Sequence, residues 1–131
     1  MANSSAVITS KEYSSGVKVV TIVFTADDAV AATIPTAAIG AERGKELVGV
    51  FANGGTMTTA LDLSIVDGTT SRNLVATNGA NGVSQGAASE ITPETNSIVI
   101  GALTVDIDAS DENAVLSGVG TIWLVFKSKF Q

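Results

Sequence analysis

Apolar and polar residues alternate with a period of two in several segments of the chain. Leu61, Leu63 and Ile65 alternate with polar Asp62 and Ser64, which is the pattern of a strand that buries one face. Other segments are rich in β-branched residues, which favour strands over helices. The strands predicted on this basis are residues 17–25, 47–52, 60–66, 103–108 and 121–127.

The last of these strands is apolar on both faces. Ile122, Leu124 and Phe126 fall on one side, and Trp123 and Val125 fall on the other. Such a strand is either central in a sandwich or turns one face toward another subunit. For Trp123 these alternatives mean filling a core or anchoring a contact, where tryptophan is enriched, and core filling is favoured.

Turn residues separate the strands. Asn53-Gly54-Gly55 and Asp67-Gly68 supply the positive φ values of tight turns and predict hairpins at both places. Residues 76–94 hold scarcely any large apolar residue and predict a long exposed loop, either mobile or ordered by a partner. Residues 35–44 could form one short helical turn, and residues 1–10 a possible N-terminal arm.

This pattern of short strands with almost no helix predicts an all-β fold. We expect an antiparallel β-sandwich or barrel, of jelly-roll or immunoglobulin-like size, with at most one short helical turn. The 131 residues suit one domain spanning 1–131. A hydrophobic content of 45% is enough to fill its core.

The composition excludes several classes of chemistry. The chain has no cysteine and no histidine, so thiol nucleophiles, histidine bases, catalytic triads and ordinary zinc sites are absent. A net charge of −6 argues against nucleic-acid binding, which needs clustered positive charge. We therefore expect no enzyme activity, no cofactor and no nucleic-acid partner.

The chain also lacks the usual signals for membranes and secretion. Its first residues have neither a basic start nor a sustained apolar centre, so no secretory signal is predicted. The longest apolar stretch, residues 98–105, is far shorter than a membrane span of roughly 20 residues. The high mean hydropathy of +0.38 therefore indicates buried strands or a buried subunit interface, with no membrane partner.

The densest group of carboxylates lies near residue 108. Asp106 and Asp108 share a strand face, and Asp111 follows the strand, so these three are a weak candidate for a Ca²⁺ site. The EF-hand pattern fails, because its glycine position holds Asp111 and its twelfth position holds Ser117. A solvated strand end is the favoured interpretation, and the few aromatic residues argue against a glycosidase site.

The overall layout resembles a known class of proteins. It combines an early valine-rich strand (17–25), Thr-Ile-Pro-Thr at 33–36, Gly54-Gly55 and a closing Gly-Thr-Ile-Trp-Leu-Val-Phe-Lys strand at 120–127. In this layout the chain is similar to small β-rich virion proteins of tailed bacteriophages. The resemblance implies a non-enzymatic structural protein of the virion, assembled in the host cytoplasm. Proteins of this kind often decorate or cement capsids, so we expect a decoration or cement protein that binds the assembled head as an oligomer.

That resemblance also implies partners. The expected ones are the chain itself, as a homo-oligomer with a trimer favoured, and the major capsid protein or another virion protein. The candidate interface residues are Val7, Ile8, Trp123, Val125 and Phe130. The alternatives are a tail, neck or receptor-binding component, or a carbohydrate- or cell-surface-binding sandwich module.

Overall fold

Eight β-strands make up most of the fold. The computed structural model describes residues 3–13, 16–29, 31–34, 43–58, 60–75, 86, 88–109 and 116–128. The strands are β1 (Asn3–Tyr13), β2 (Val17–Ala29), β3 (Ala31–Ile34), β4 (Lys45–Asn53), β5 (Leu61–Asp67), β6 (Ala88–Ile91), β7 (Leu103–Ala109) and β8 (Leu116–Ser128). All their pairings are antiparallel, and these segments contain no α-helix. The prediction of an all-β antiparallel sandwich is confirmed.

The strands form two sheets in an interleaved order. The five-stranded sheet runs β1-β2-β8-β4-β6, and the three-stranded sheet runs β3-β7-β5. From β2 onward, each strand lies in the opposite sheet from the one before it. Asn73 bridges Val66 beside β5 and extends the smaller sheet. This alternation between two antiparallel sheets is the arrangement of a double-sheet jelly roll.

The core lies between the two sheets and follows the alternation read from the sequence. Leu63 and Ile65 of β5 are buried, and so are alternate residues of β7 and β8, namely Leu103, Val105, Ile107, Ile122, Leu124 and Phe126. Polar Ser64 and Asp106 lie half-buried on the opposite side of their sheet. The period-two pattern therefore predicted the inward-facing residues of these strands correctly.

One of the two predicted hairpins is wrong. The turn after Asn53 connects β4 in one sheet to β5 in the other, so its flanking strands do not pair. The Oδ1 atom of Asn53 accepts a 2.7 Å hydrogen bond from the Gly55 N–H, as expected of a tight turn. The turn chemistry was read correctly, but turn residues alone do not fix which sheet the chain enters next. At Asp67-Gly68 the chain does reverse, and Asn73 pairs with Val66.

The predicted N-terminal arm and long loop both contain strand. Residues 3–13 pair with β2 along their whole length, because Ala6 and Ile8 pack against the core from one face of β1. Within the predicted loop 76–94, β6 pairs with β4 and Ile91 is buried. Ile91 is the one large apolar residue that anchors β6. A single apolar residue does not produce a periodic pattern, so the sequence did not predict this strand.

The rest of these predictions falls largely outside the described residues. Residues 76–85 and 87 of the predicted loop, and 35–42 of the predicted helical turn, are not among them. Residues 43 and 44 form a turn in which Gly44 has a φ of +83°. The single-domain organisation remains a prediction.

Substituting Gly55 tests how tightly the β4–β5 turn packs on β8. Gly55 has a φ of +52°, and an added Cβ would collide with the carbonyl oxygen of Val119. Gly55→Ala is expected to lower the free energy of unfolding by about 3 kcal/mol, from backbone strain and overpacking. Urea unfolding followed by Trp123 fluorescence would measure the change.

Gly44→Ala is the matched control. Its φ is also positive, but no atom lies within 4 Å of the added Cβ. It should cost only about 1 kcal/mol, the strain of a left-handed backbone. Equal costs at the two glycines would contradict close packing of the β4–β5 turn against β8.

Candidate functional site

The side of the five-stranded sheet that faces away from the core carries several apolar side chains. Ile122, Leu124 and Phe126 of β8 point into the core and are fully buried. Successive residues of a strand point to opposite faces, so Trp123 and Val125 lie on the other side. The core-filling interpretation of Trp123 is therefore wrong, because the three-stranded sheet packs on the opposite face of β8.

Neighbouring strands add apolar residues beside Trp123 and Val125. Phe51 of β4 is in register with Trp123, and Val19 of β2 is in register with Val125. We call residues in register across neighbouring strands a row. In the outward-facing row on the other side of Trp123 from Val125, Val7 of β1 pairs with Val23 of β2. We call this surface the outer face and define it by Val7, Val19, Val23, Phe51, Trp123 and Val125.

The outer face is accessible, and one glycine shapes its centre. Val7 is 65% exposed, Phe51 40% and Val23 38%, while the remaining three residues are half-buried. A Cβ on Gly49 would lie 3.3 Å from Cε2 of Phe51 and 3.4 Å from Cβ of Val125. The missing side chain leaves room for the Phe51 ring to lie beside Val125.

Charged residues on this side of the sheet lie around the apolar centre. The row through Trp123 contains Thr9, Thr21 and Phe51, and its only charged residue is Glu90 on edge strand β6. At the opposite edge Lys11 of β1 lies in the row of Val19, with its Nζ atom 5.2 Å from the Tyr13 ring centroid. Water is therefore displaced most readily from the centre of the outer face, where no charge has to be desolvated.

The structure brings together three of the five predicted interface residues. Val7, Trp123 and Val125 all belong to the outer face. Ile8 points the opposite way and packs against the core, because it follows Val7 along the same strand. Phe130 lies outside the described residues. Phe51, which the sequence interpretation missed, joins them only because β4 pairs with β8.

A buried polar site, which the sequence interpretation did not predict, lies at one end of the smaller sheet. The Asp67 side chain is fully buried. Its Oδ2 atom accepts hydrogen bonds from the N–H groups of Ile100 at 2.7 Å and Gly101 at 3.1 Å. Its Oδ1 atom accepts from Thr69 at 2.8 Å and Thr70 at 3.2 Å. One carboxylate therefore joins two loops, and it acts as a structural latch.

Neighbouring groups strengthen the same connection between loops. The Arg72 guanidinium donates hydrogen bonds to the carbonyl oxygens of Asn96 at 2.6 Å and Thr95 at 2.5 Å. The hydroxyl of buried Ser97 donates to the carbonyl oxygens of Glu94 and Leu74. Each of these polar groups is satisfied by backbone, which is the arrangement of a structural network.

The proposed Ca²⁺ site is not assembled by the described residues. Asp106 lies half-buried on β7, whereas the side chain of Asp108 and all of Asp111 lie outside the description. Among the described side chains, no group of three or more potential metal ligands comes together. The acidic cluster therefore remains a sequence prediction.

An open depression of about 330 Å³ lies at one end of the larger sheet. Glu12, Tyr13 and Lys45 line part of it, and the Lys45 Nζ atom lies 3.8 Å from Glu12 Oε1. The carboxylate of this ion pair is largely exposed to solvent. Such an exposed pair contributes little free energy, and the described lining residues include no second carboxylate for paired acid–base chemistry.

Comparisons with known proteins yield only distant structural likenesses. No protein-family model and no curated protein matches the sequence. The chain is similar to a chain of the cyanophage Pam1 capsid asymmetric unit, at 13% identity and a TM-score of 0.45, covering 96% of this chain and 84% of that one. It is also similar to Peruvianin-I, a cysteine peptidase from Thevetia peruviana latex, at 9% identity and a TM-score of 0.34, covering 86% and 51%.

Neither likeness is close enough to carry an argument about function. Within the described segments no helix is long and apolar enough to cross a bilayer. The outer face is thus the feature that bears most directly on function.

The Asp67 latch predicts a specific dependence of stability on pH. Burial raises the pKa of Asp67, but the N–H groups of Ile100, Gly101 and the 69–70 turn outweigh it and hold the pKa below its ordinary value of 3.8. The stabilisation is therefore complete above pH 3.8 and is lost as the pH falls through the lower folded pKa. Asp67→Asn should cost about 3 kcal/mol at pH 7, because an amide has only one acceptor oxygen for these donors.

Urea unfolding of the wild type and of Asp67→Asn between about pH 7 and about pH 2.5 would measure the contribution of Asp67 to the free energy of unfolding. The stability difference between wild type and Asp67→Asn should shrink as the pH falls below the ordinary carboxyl range. A difference that stays constant over the whole range would show that the charge of Asp67 does not contribute.

Proposed function

We propose that this chain is a non-enzymatic structural protein of a tailed-bacteriophage virion, and that it is a capsid decoration or cement protein. It binds the assembled head as an oligomer, and the outer face is its assembly surface. The observation that carries the proposal is that the central strand β8 presents Trp123 and Val125 away from the core, beside Phe51 and Val19.

A β-sandwich requires one apolar face on each sheet, and this sheet also carries apolar residues on its other face. The inward face is already covered, so the outer face contributes nothing to the core. Phe51 and Val7 are 40% and 65% exposed there, and clusters of exposed large apolar residues mark interaction sites. Tryptophan at the centre of a patch is also among the residues that most often dominate binding energy.

The charge balance supports assembly of a soluble precursor. The net charge of −6 opposes nonspecific association before assembly. The uncharged centre of the outer face still permits a specific apolar contact. The layout that resembles small phage virion proteins supports a place for this contact in a virion, and the absence of cysteine and histidine agrees with a role without catalysis.

Substitutions on the outer face test the proposal. Phe51→Ser and Val7→Ser should each weaken self-association about tenfold or more, because each removes apolar area from the contact. The mass in solution, measured by light scattering after size exclusion over a range of concentrations, gives the effect. Ile100→Ser is the matched control, because Ile100 is 50% exposed but lies in a loop beside the smaller sheet.

Binding to the virion is tested with heads of the encoding phage purified without this protein. Wild-type protein should sediment with the heads, and the Phe51→Ser variant should remain in the supernatant while Ile100→Ser still binds. Failure of the wild-type protein to bind heads would remove the decoration role. Equal binding by all three proteins would show that the outer face is not the assembly surface.

A further inference from the structure

We propose that the outer face packs against the same face of a second copy, about a two-fold axis that runs along β8. In this pair, Lys11 of each copy lies against Glu90 of the other. The inference rests on the proposed function, because it takes the outer face to be the assembly surface. It adds the identity of the partner and the geometry of the contact, and it favours a two-fold pair over the trimer expected from the sequence.

The strand order of the larger sheet is symmetric about β8. Two strands lie on each side, with β1 at one edge and β6 at the other. A two-fold rotation about an axis along β8 brings β8 over β8 and places each β1 edge over the β6 edge of the other copy. A contact of this kind is isologous, so both copies use the same surface.

The charges at the two edges are complementary under this rotation. Lys11 is exposed on β1, and Glu90 is exposed on β6. Both residues lie on the outward side, because Lys11 is in register with Val19, and Glu90 with Phe51. The rotation therefore produces two Lys11–Glu90 pairs, one at each side of the contact. An axis perpendicular to the strands instead places β1 over β1 and β6 over β6, which leaves each charge without an opposite one.

The positions along the strands are compatible with this pairing. Lys11 lies in the row of Val125, and Glu90 lies in the row of Trp123. These rows are two residues apart, or roughly 7 Å along the strand. The four-carbon stem of lysine is flexible enough to span most of that offset, and the glutamate side chain covers the remainder.

The centre of the contact is apolar and has an adequate area. Around the axis, Trp123 and Val125 of one copy face their equivalents, with Phe51 and Val19 beside them. Lys127 lies on the same side of β8, two residues beyond Val125, at the end of the contact and in register with Glu46 of its own copy. Five strands at about 4.8 Å spacing and seven residues of rise give a footprint of roughly 500 Å². Protruding side chains enlarge the accessible area, which approaches the roughly 800 Å² that each partner buries in a typical specific interface.

Charge reversal at the two edges tests this geometry. Lys11→Glu places two carboxylates against each other at each edge, and Glu90→Lys places two ammonium groups there. Each variant alone should therefore pair at least about tenfold more weakly than wild type. An equimolar mixture should recover pairing, because each variant supplies the charge that the other lacks. The double variant should recover it within one chain. Analytical ultracentrifugation measures the dissociation constants, and differently labelled chains detect mixed pairs.

Matched controls separate the edge contact from net charge. Arg43→Glu and Glu94→Lys change the net charge by the same amounts at exposed positions away from the outer face. They should leave pairing nearly unchanged. Lys11→Gln, which removes the charge without reversing it, should weaken pairing less than Lys11→Glu. Thermal unfolding confirms that each variant folds.

The outcomes distinguish this inference from the proposed function. Recovery in the mixture and in the double variant supports the two-fold geometry. Wild-type association that Phe51→Ser disrupts but charge reversal does not would overturn the geometry and leave the proposed function intact. A wild-type protein that stays monomeric at millimolar concentration would also overturn the inference, and head binding would then decide the proposed function alone.

Discussion

The pairing of β8 with two neighbours is the constraint on which the rest of the structure depends. β8 pairs with β2 on one side and β4 on the other, so it cannot turn or shift without breaking both ladders. Its pleat sends Ile122, Leu124 and Phe126 into the core. The same pleat fixes Trp123 and Val125 on the outward side, where the described strands provide no further layer to cover them. The apolar outer face is thus a direct consequence of how the core is closed.

The loops at the end of the smaller sheet are organised by a different force. Asp67 is buried with its charge, and this is favourable only because backbone N–H groups from two loops donate to it. An unpaired buried carboxylate would cost several kcal/mol, so the latch and the loop conformations depend on each other. The one described buried carboxylate therefore serves the architecture, and the polar network near residues 94–101 has the same purpose.

The buried core and the Asp67 network hold the fold together, and the outer face is the surface available for binding. Apolar area is concentrated around Trp123, Val125 and Phe51, and charges lie toward the margins at Lys11, Glu90 and Lys127. This arrangement, with an apolar centre and a charged rim, is typical of protein–protein interfaces. Such a surface gains free energy from excluding water, while the rim charges determine orientation and partner choice.

The amino-acid sequence by itself determined the local periodicity of this protein. The alternation in residues 61–65 and 103–107, and the double apolar character of 121–127, predicted strands, their buried faces and an excess of apolar surface, because a period of two is a local property. The tertiary structure alone decided which strands pair. It decided that the turn at Asn53 crosses between sheets, that Ile91 anchors a strand, and that Phe51 lies beside Trp123. It also decided two of the partners of Asp67, Ile100 and Gly101, which lie 33 and 34 residues further along the chain. These contacts depend on the closure of two sheets around one core, which no local pattern specifies.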